Sequence, residues 1–156
     1  MAVQDFLYWL QGTPVAHSIS KSHHLVGAAL QVVHIAGFVS LLAAVVLLSL
    51  RGFGLVFPGL PAQRLKREMA RFLWLGLALT IASGALMFIT APLLYFNNRA
   101  FDVKMGLLVV AIVVQLLLFH YARTSGSGRR AAAFAATTSL VLWFSVGIAG
   151  RAIGFL

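Results

Sequence analysis

Between Leu25 and Leu50 the chain reads LVGAALQVVHIAGFVSLLAAVVLLSL, twenty-six residues without one Asp, Glu, Lys or Arg. At ~1.5 Å of rise per residue this makes about 39 Å of helix, enough to cross a bilayer with tilt. Two polar residues, Gln31 and His34, sit in its first half. An imidazole inside such a span is costly unless it has a partner, which makes His34 the first place to look for function.

The rest of the chain has the same character. Of its 156 residues 61% are hydrophobic and 10% are charged, whereas a soluble domain carries roughly 25% charged residues. Too little polar side chain is left to build an aqueous surface, so the solvent is lipid. Three further apolar stretches follow, at about 71–94, 103–121 and 131–155. The expectation is an all-α integral membrane four-helix bundle over residues 25–156, preceded by an interfacial segment over 1–24. No internal repeat is visible. About eight residues connect the second and third spans, which makes them antiparallel neighbours.

Residues 1–24 lack the basic start and the small-residue cleavage site of a secretory signal. Phe6-Leu7-Tyr8-Trp9-Leu10 form an aromatic block broken at Gly12-Thr13-Pro14, as in a helix lying at headgroup level. The net charge of +9 comes from twelve Lys and Arg against Asp5, Glu68 and Asp102. These cations flank apolar spans, so topology control accounts for them and nucleic acid does not. Eight of them (Arg51, Arg64, Lys66, Arg67, Arg71, Arg123, Arg129 and Arg130) lie in or beside the loops after spans 1 and 3. The positive-inside rule puts that side in the cytoplasm and both termini in the periplasm of a bacterial inner membrane.

There is no cysteine, hence no disulfide, thiolate metal site, Fe–S cluster or covalently attached haem. At 100° per residue His23, Gly27, Gln31 and His34 share a narrow stripe continued by Phe38, which is expected to face the bundle. Two readings of His34 stand side by side. One is an interhelical hydrogen bond with a structural role; the other is a ligand to haem or to a metal ion. His120, at the far end of span 3, lies ~10 Å lower by this count and is too far from level to be a second axial ligand. Met87, or the pair His23-His24, remains as a sixth ligand.

His17, His23, His24, Met87 and Met105 gather towards the outer face, and imidazole with thioether suits Cu(I). Arg151, Lys104 and Arg99 form an outer basic group that would meet haem propionates, pair with Asp102, or reach lipid phosphate. Trp74 and Trp143 are candidates to pack the bundle beside a cofactor, and Gln115 to bond between helices. Gly150 and Gly154 make a G-x-x-x-G pattern interrupted by Arg151, a candidate face for a homo-oligomer. No span carries a carboxylate for a proton relay, and no nucleophile triad or phosphate-cradling loop is present.

The order of motifs is Thr13-Pro14, VVHIAGF, Leu50-Arg51, Trp74 to Gly84, NNRAFDVKMGLL, LLLFH, and Trp143 with Gly150-Arg151. It resembles a bacterial family of small four-span membrane proteins described only as a domain of unknown function, over nearly the whole chain. More remotely it is similar to the membrane domain of the copper-resistance D family. Where the first family would carry Trp or another apolar residue before span 1, this chain has His23-His24. The resemblance implies the topology and leaves the activity open.

Three functions follow as expectations. The first is a b-type haem protein with His34 as axial ligand, passing electrons, with quinone as a candidate partner, or sensing a small ligand. The second is copper handling by His and Met. The third is an accessory membrane subunit without catalysis of its own.

Overall fold

The computed structural model describes residues 2–21, 24–124 and 128–155. It is all-helical over these residues, with seven helices: α1 (Ala2–Gln11), α2 (Pro14–Lys21), α3 (His24–Gly52), α4 (Ala62–Thr90), α5 (Pro92–Phe96), α6 (Arg99–Thr124) and α7 (Arg129–Ala152). Four of them are long and apolar enough to cross a membrane, over Leu25–Gly52, Ala62–Thr90, Arg99–His120 and Arg129–Ala152.

The helix boundaries have local causes. Thr13 caps α2: its hydroxyl accepts from the Ala16 N–H at 3.4 Å and donates to the Leu10 carbonyl at 2.8 Å, and Pro14 follows at the first helical position, where no N–H is needed. Pro92 keeps the preceding residue out of the α region; Ala91 sits at φ −144°, ψ 56°, so α4 stops there and α5 begins. Asn98 caps α6, its side-chain oxygen accepting from the Ala100 N–H at 2.9 Å. Two helices reach beyond the apolar stretches: α4 begins at Ala62, the basic stretch after Pro61 being continuous helix, and α6 begins at Arg99.

The long helices run antiparallel in a ring ordered α3, α4, α6, α7. Their outward faces carry exposed apolar stripes: Phe72, Leu75 and Leu79 on α4, Val109, Val113 and Leu116 on α6, Phe134, Val141 and Ile148 on α7. The interior is narrow, built from Leu41, Ala44, Val45, Leu73, Leu77, Ala111, Trp143 and Val146.

The tightest seam joins α3 to α4. A Cβ added at Gly76 would stand 2.5 Å from the Gly37 carbonyl oxygen and 2.7 Å from the Leu41 nitrogen, and one at Gly37 would stand 2.8 Å from Thr80 Oγ1. Small residues here let two backbones touch, which is how helices associate where apolar surface gains nothing by leaving lipid. The α3–α7 seam is similar, with Gly147 against Phe38, Gly52 against Ala132, and Ser49 donating to the Ala136 carbonyl at 3.3 Å.

The short link brings α4 and α6 together more loosely than expected. Among the described residues no Cα of one lies within 8 Å of the other. Aromatic side chains bridge them instead, Trp74 on Phe119 at one end and Phe88 stacked on Phe101 at 5.5 Å at the other. Beside the second bridge, α1 packs on α5, α2 packs on α4, and Leu7 and Ala16 are buried. Tyr8 and Trp9 remain exposed. The bundle thus has a termini end, where α3 starts and α7 stops, and a basic end with Arg51, Arg64, Lys66, Arg67 and Arg129.

Candidate functional site

His34 lies in the corner between α3 and α4, half-buried. Its Nδ1 is 3.1 Å from Ser83 Oγ, and a Cβ on Gly84 would stand 3.0 Å from its Cε1. The glycine makes room for the ring. Ser83 donates its hydroxyl hydrogen to the Leu79 carbonyl at 2.6 Å, so its oxygen is left to accept. With the Ser83 hydrogen on Leu79 the imidazole donates from Nδ1 and the lone pair falls on Nε2; in the other tautomer Nδ1 accepts the Ser83 hydrogen. A hydroxyl-oriented imidazole with its second nitrogen bearing the lone pair is the form in which histidine ligates metals.

Helix register decides what else is level with it. Phe38 meets Gly147 and Ser49 meets Ala136, which sets His34 beside Arg151, next to the end of α7. Lys104 lies along Gly150, its Nζ 3.4 Å from where a Cβ would be, and Asn98 donates to the Ile153 carbonyl at 3.1 Å. His34, Ser83, Lys104 and Gly150 therefore form one polar layer near the termini end.

This changes the depth of His34. Counted from Leu25 it is ~14 Å inside, but residues 24–33 of α3 run past the level at which α7 stops. The stripe Gly27, Gln31, His34 and Phe38 faces the bundle only at its lower part, where Phe38 packs on Gly147. Higher up α7 has ended while α4 continues to Thr90: Gln31 is exposed and Gly27 has nothing within 4 Å of an added Cβ. The expected inward face is thus an open ledge above the imidazole. His120 lies on the opposite side of the layer, ~20–25 Å away along the axis, about twice the separation counted from the sequence. It cannot share an ion with His34.

The remaining candidates divide. Trp143 is 1% exposed and donates Nε1–H to Gln115 Oε1 at 3.0 Å, while Ser139 donates to the same oxygen at 2.7 Å. It is a core residue of α7 with no free face for a cofactor; Gln115 is the interhelical bonder that its position in an apolar helix suggested. Arg151 is exposed with its guanidinium 4.6 Å from the Phe155 ring centre. Among the described residues it has no ion pair with Asp102; the one ion pair is Glu68–Arg71 at 3.8 Å. Gly154 lies beyond α7, and the Lys104 side chain covers Gly150, so the G-x-x-x-G pattern does not form a helix-docking face.

Met87 is half-buried one turn beyond Ser83 on the same face of α4. His23 lies outside the described residues, and of His24 only the backbone is described, ten residues before His34 on the same helix. That is ~15 Å of rise, too far to serve one iron together. No group of three or more His, Asp or Glu that could hold a metal ion occurs among the described residues. Sequence reasoning missed Ser83 as the partner of His34. The signal available was the run Ser83-Gly84, a hydroxyl beside a glycine in an apolar helix.

No protein-family model, no curated protein and no solved structure matches this chain.

Proposed function

We propose that the chain is a multi-pass protein of the bacterial inner membrane, its basic end in the cytoplasm and its termini in the periplasm, that binds one b-type haem through His34 Nε2. The observation that supports this reading is the contact of His34 Nδ1 with Ser83 at 3.1 Å, which engages one ring nitrogen and leaves Nε2 as the one that would ligate. The orientation rests on the excess of Lys and Arg at one end. With Arg51 at the cytoplasmic boundary, seventeen residues of helix put His34 ~25 Å up, some 5 Å below the far surface of a 30 Å core. At that depth an imidazole costs little, and a ligand reaches it from the periplasmic side.

The residues around it have assignable tasks. The tight α3–α4 seam leaves no room for a macrocycle, so haem would lie on the open ledge towards Gln31 and Gly27. Lys104 sits in the same layer and Arg151 at its rim, both cations for propionates. With His24 and His120 too distant, Met87 would be the further protein donor, and a haem held there would supply one-electron exchange, with quinone as a candidate partner, or a site for a small ligand to sense.

The test is the absorbance of the full-length protein, purified in mild detergent from cells supplied with haem precursor. A Soret band that disappears in His34→Ala and persists in His120→Ala is expected. Folded protein with neither Soret band nor iron would overturn the reading. One observation favours a second reading, copper held by His34 with the Met87 thioether, since the two share the α3–α4 corner. Copper at one per chain without haem absorbance would select it.

A further inference from the structure

At the basic end the separation of α4 from α6 leaves a groove of about 490 Å³ lined by Trp74, Leu116, Leu117, Phe119 and His120. It continues, past the shared Trp74 and Phe119, into a vestibule bounded by Arg64, Lys66 and Arg67. The two parts differ in chemistry. The floor is apolar and opens sideways, since Leu116 and Leu117 are 51% and 61% exposed. The vestibule is cationic, with Arg64 and Arg67 exposed. Lys66 fastens its rim, donating to the Phe119 carbonyl at 2.8 Å with its ammonium 4.8 Å from the Phe119 ring centre.

Compensating negative charge is scarce. Of the three acidic residues in the chain, Asp5 and Asp102 stand at the termini end, and Glu68 is already paired with Arg71. An occupant must therefore bring an anion to the vestibule and an apolar tail to the groove, in that order along the membrane normal. A second copy of this chain would bring the same cations against these and be repelled.

We infer that the α4–α6 groove binds one anionic phospholipid of the adjoining leaflet, its phosphate on Arg64 and Arg67 and an acyl chain along Trp74, Leu116 and Leu117. The site holds apart two helices that the short link would otherwise close, so the lipid completes the ring of four. Polybasic positions at a membrane surface attract anionic headgroups in this way. The apolar groove adds a chain-length requirement that a surface patch alone lacks.

The experiment is lipid binding to the full-length protein in detergent, by native mass spectrometry and thermal shift, with dioleoyl phosphatidylglycerol against dioleoyl phosphatidylcholine. The glycerol lipid is expected to bind on the order of tenfold more tightly. Arg64→Gln with Arg67→Gln should abolish that preference, and Leu116→Trp, on an exposed lipid-facing position, should reduce binding of both lipids by filling the groove. Equal binding of the two lipids by the wild-type chain would overturn the inference. So would an unchanged preference in the double variant, or a thermal shift reproduced by soluble glycerol 3-phosphate. A dimer dissociated by Leu116→Trp, in a chain without lipid preference, would assign the groove to a second copy instead.

Discussion

Replacing Gly76 by alanine tests whether the α3–α4 seam is a backbone contact and whether His34 depends on it. The added Cβ would meet the Gly37 carbonyl oxygen at 2.5 Å, where ordinary contact begins at 3.4 Å. Both partners are helical backbone, so neither can swing aside, and the helices must part by about 0.9 Å, the shortfall between those two distances. A radial gap of that size forfeits a quarter to a half of the dispersion between packed atoms, and overpacking of this kind costs ~1–3 kcal/mol. The same parting stretches the 3.1 Å bond from His34 to Ser83 to about 4 Å, beyond hydrogen-bond reach, for a further ~0.6 kcal/mol. Gly76→Ala should therefore lose ~2–4 kcal/mol, measured by SDS unfolding in mixed micelles. It should also release His34 from Ser83, visible in the imidazole nitrogen resonances. Gly27→Ala and Gly106→Ala are the matched controls: both glycines are helical with nothing within 4 Å of the new Cβ, and both variants should gain up to ~1 kcal/mol. Gly76→Ala as stable as these controls, with the imidazole resonances unchanged, would refute the close approach of the two backbones.

Two further outcomes test the packing. Gln115→Leu removes the acceptor shared by Ser139 and Trp143 and should cost ~1–3 kcal/mol, since the indole N–H is left buried without a partner. Adding Trp143→Phe should recover part of that loss; strictly additive effects in the double-mutant cycle would refute the shared bond. Asn98→Ala should cost ~0.5–2 kcal/mol through the lost α6 cap. It should also raise hydrogen exchange at Phe155 and its neighbours by freeing the Ile153 carbonyl, while Asn97→Ala, on an exposed side chain bonded within its own turn, should do neither.

What the sequence made legible follows from what apolar periodicity measures. An uncharged stretch such as Leu25–Leu50 announces a long helix, and the loop cations announce which ends lie together. The small residues Gly76, Ser83 and Gly84 in an otherwise apolar helix are the types a close-packing face requires. Their partner was not visible, because whether Gly37 or some other residue meets Gly76 depends on the register of two helices whose sequences are apolar on every side. The surroundings of His34 depend on a related feature: α3 continues past the end of α7 while remaining apolar, so distance from Leu25 is not distance from the α7 end of the bundle. Trp143 looked like a cofactor contact because an indole in a span suits either role, and only the position of Gln115 on the next helix distinguishes them. The helix starts are legible too: Thr13-Pro14 and Asn98 before Arg99 have the residue types that such starts demand.

The polar groups of the interior show why attention belongs at the termini end. Gln115 takes two donors from α7, one of them an indole that can only donate, so the amide orientation is fixed and the group is consumed in holding α6 to α7. Ser49 likewise spends its hydroxyl on the Ala136 carbonyl. The His34 layer is composed differently. It sets an imidazole and an ammonium side by side with hydroxyls already committed to their own helix, as Ser83 is to Leu79 and Thr80 to Gly76. A carboxylate would complete such a layer if its purpose were to join helices, yet Asp102, the acid nearest in sequence to Lys104, is exposed. Two cationogenic groups held together beneath an open ledge are complementary to something negative or electron-accepting that the chain itself does not supply. The proposed ligand and a packing role make different demands on that layer, and substitution of Lys104 separates them: Lys104→Met should leave the bundle intact, with Gly150 still covered by a chain of similar length, and on the proposed reading weaken the haem absorbance that depends on His34.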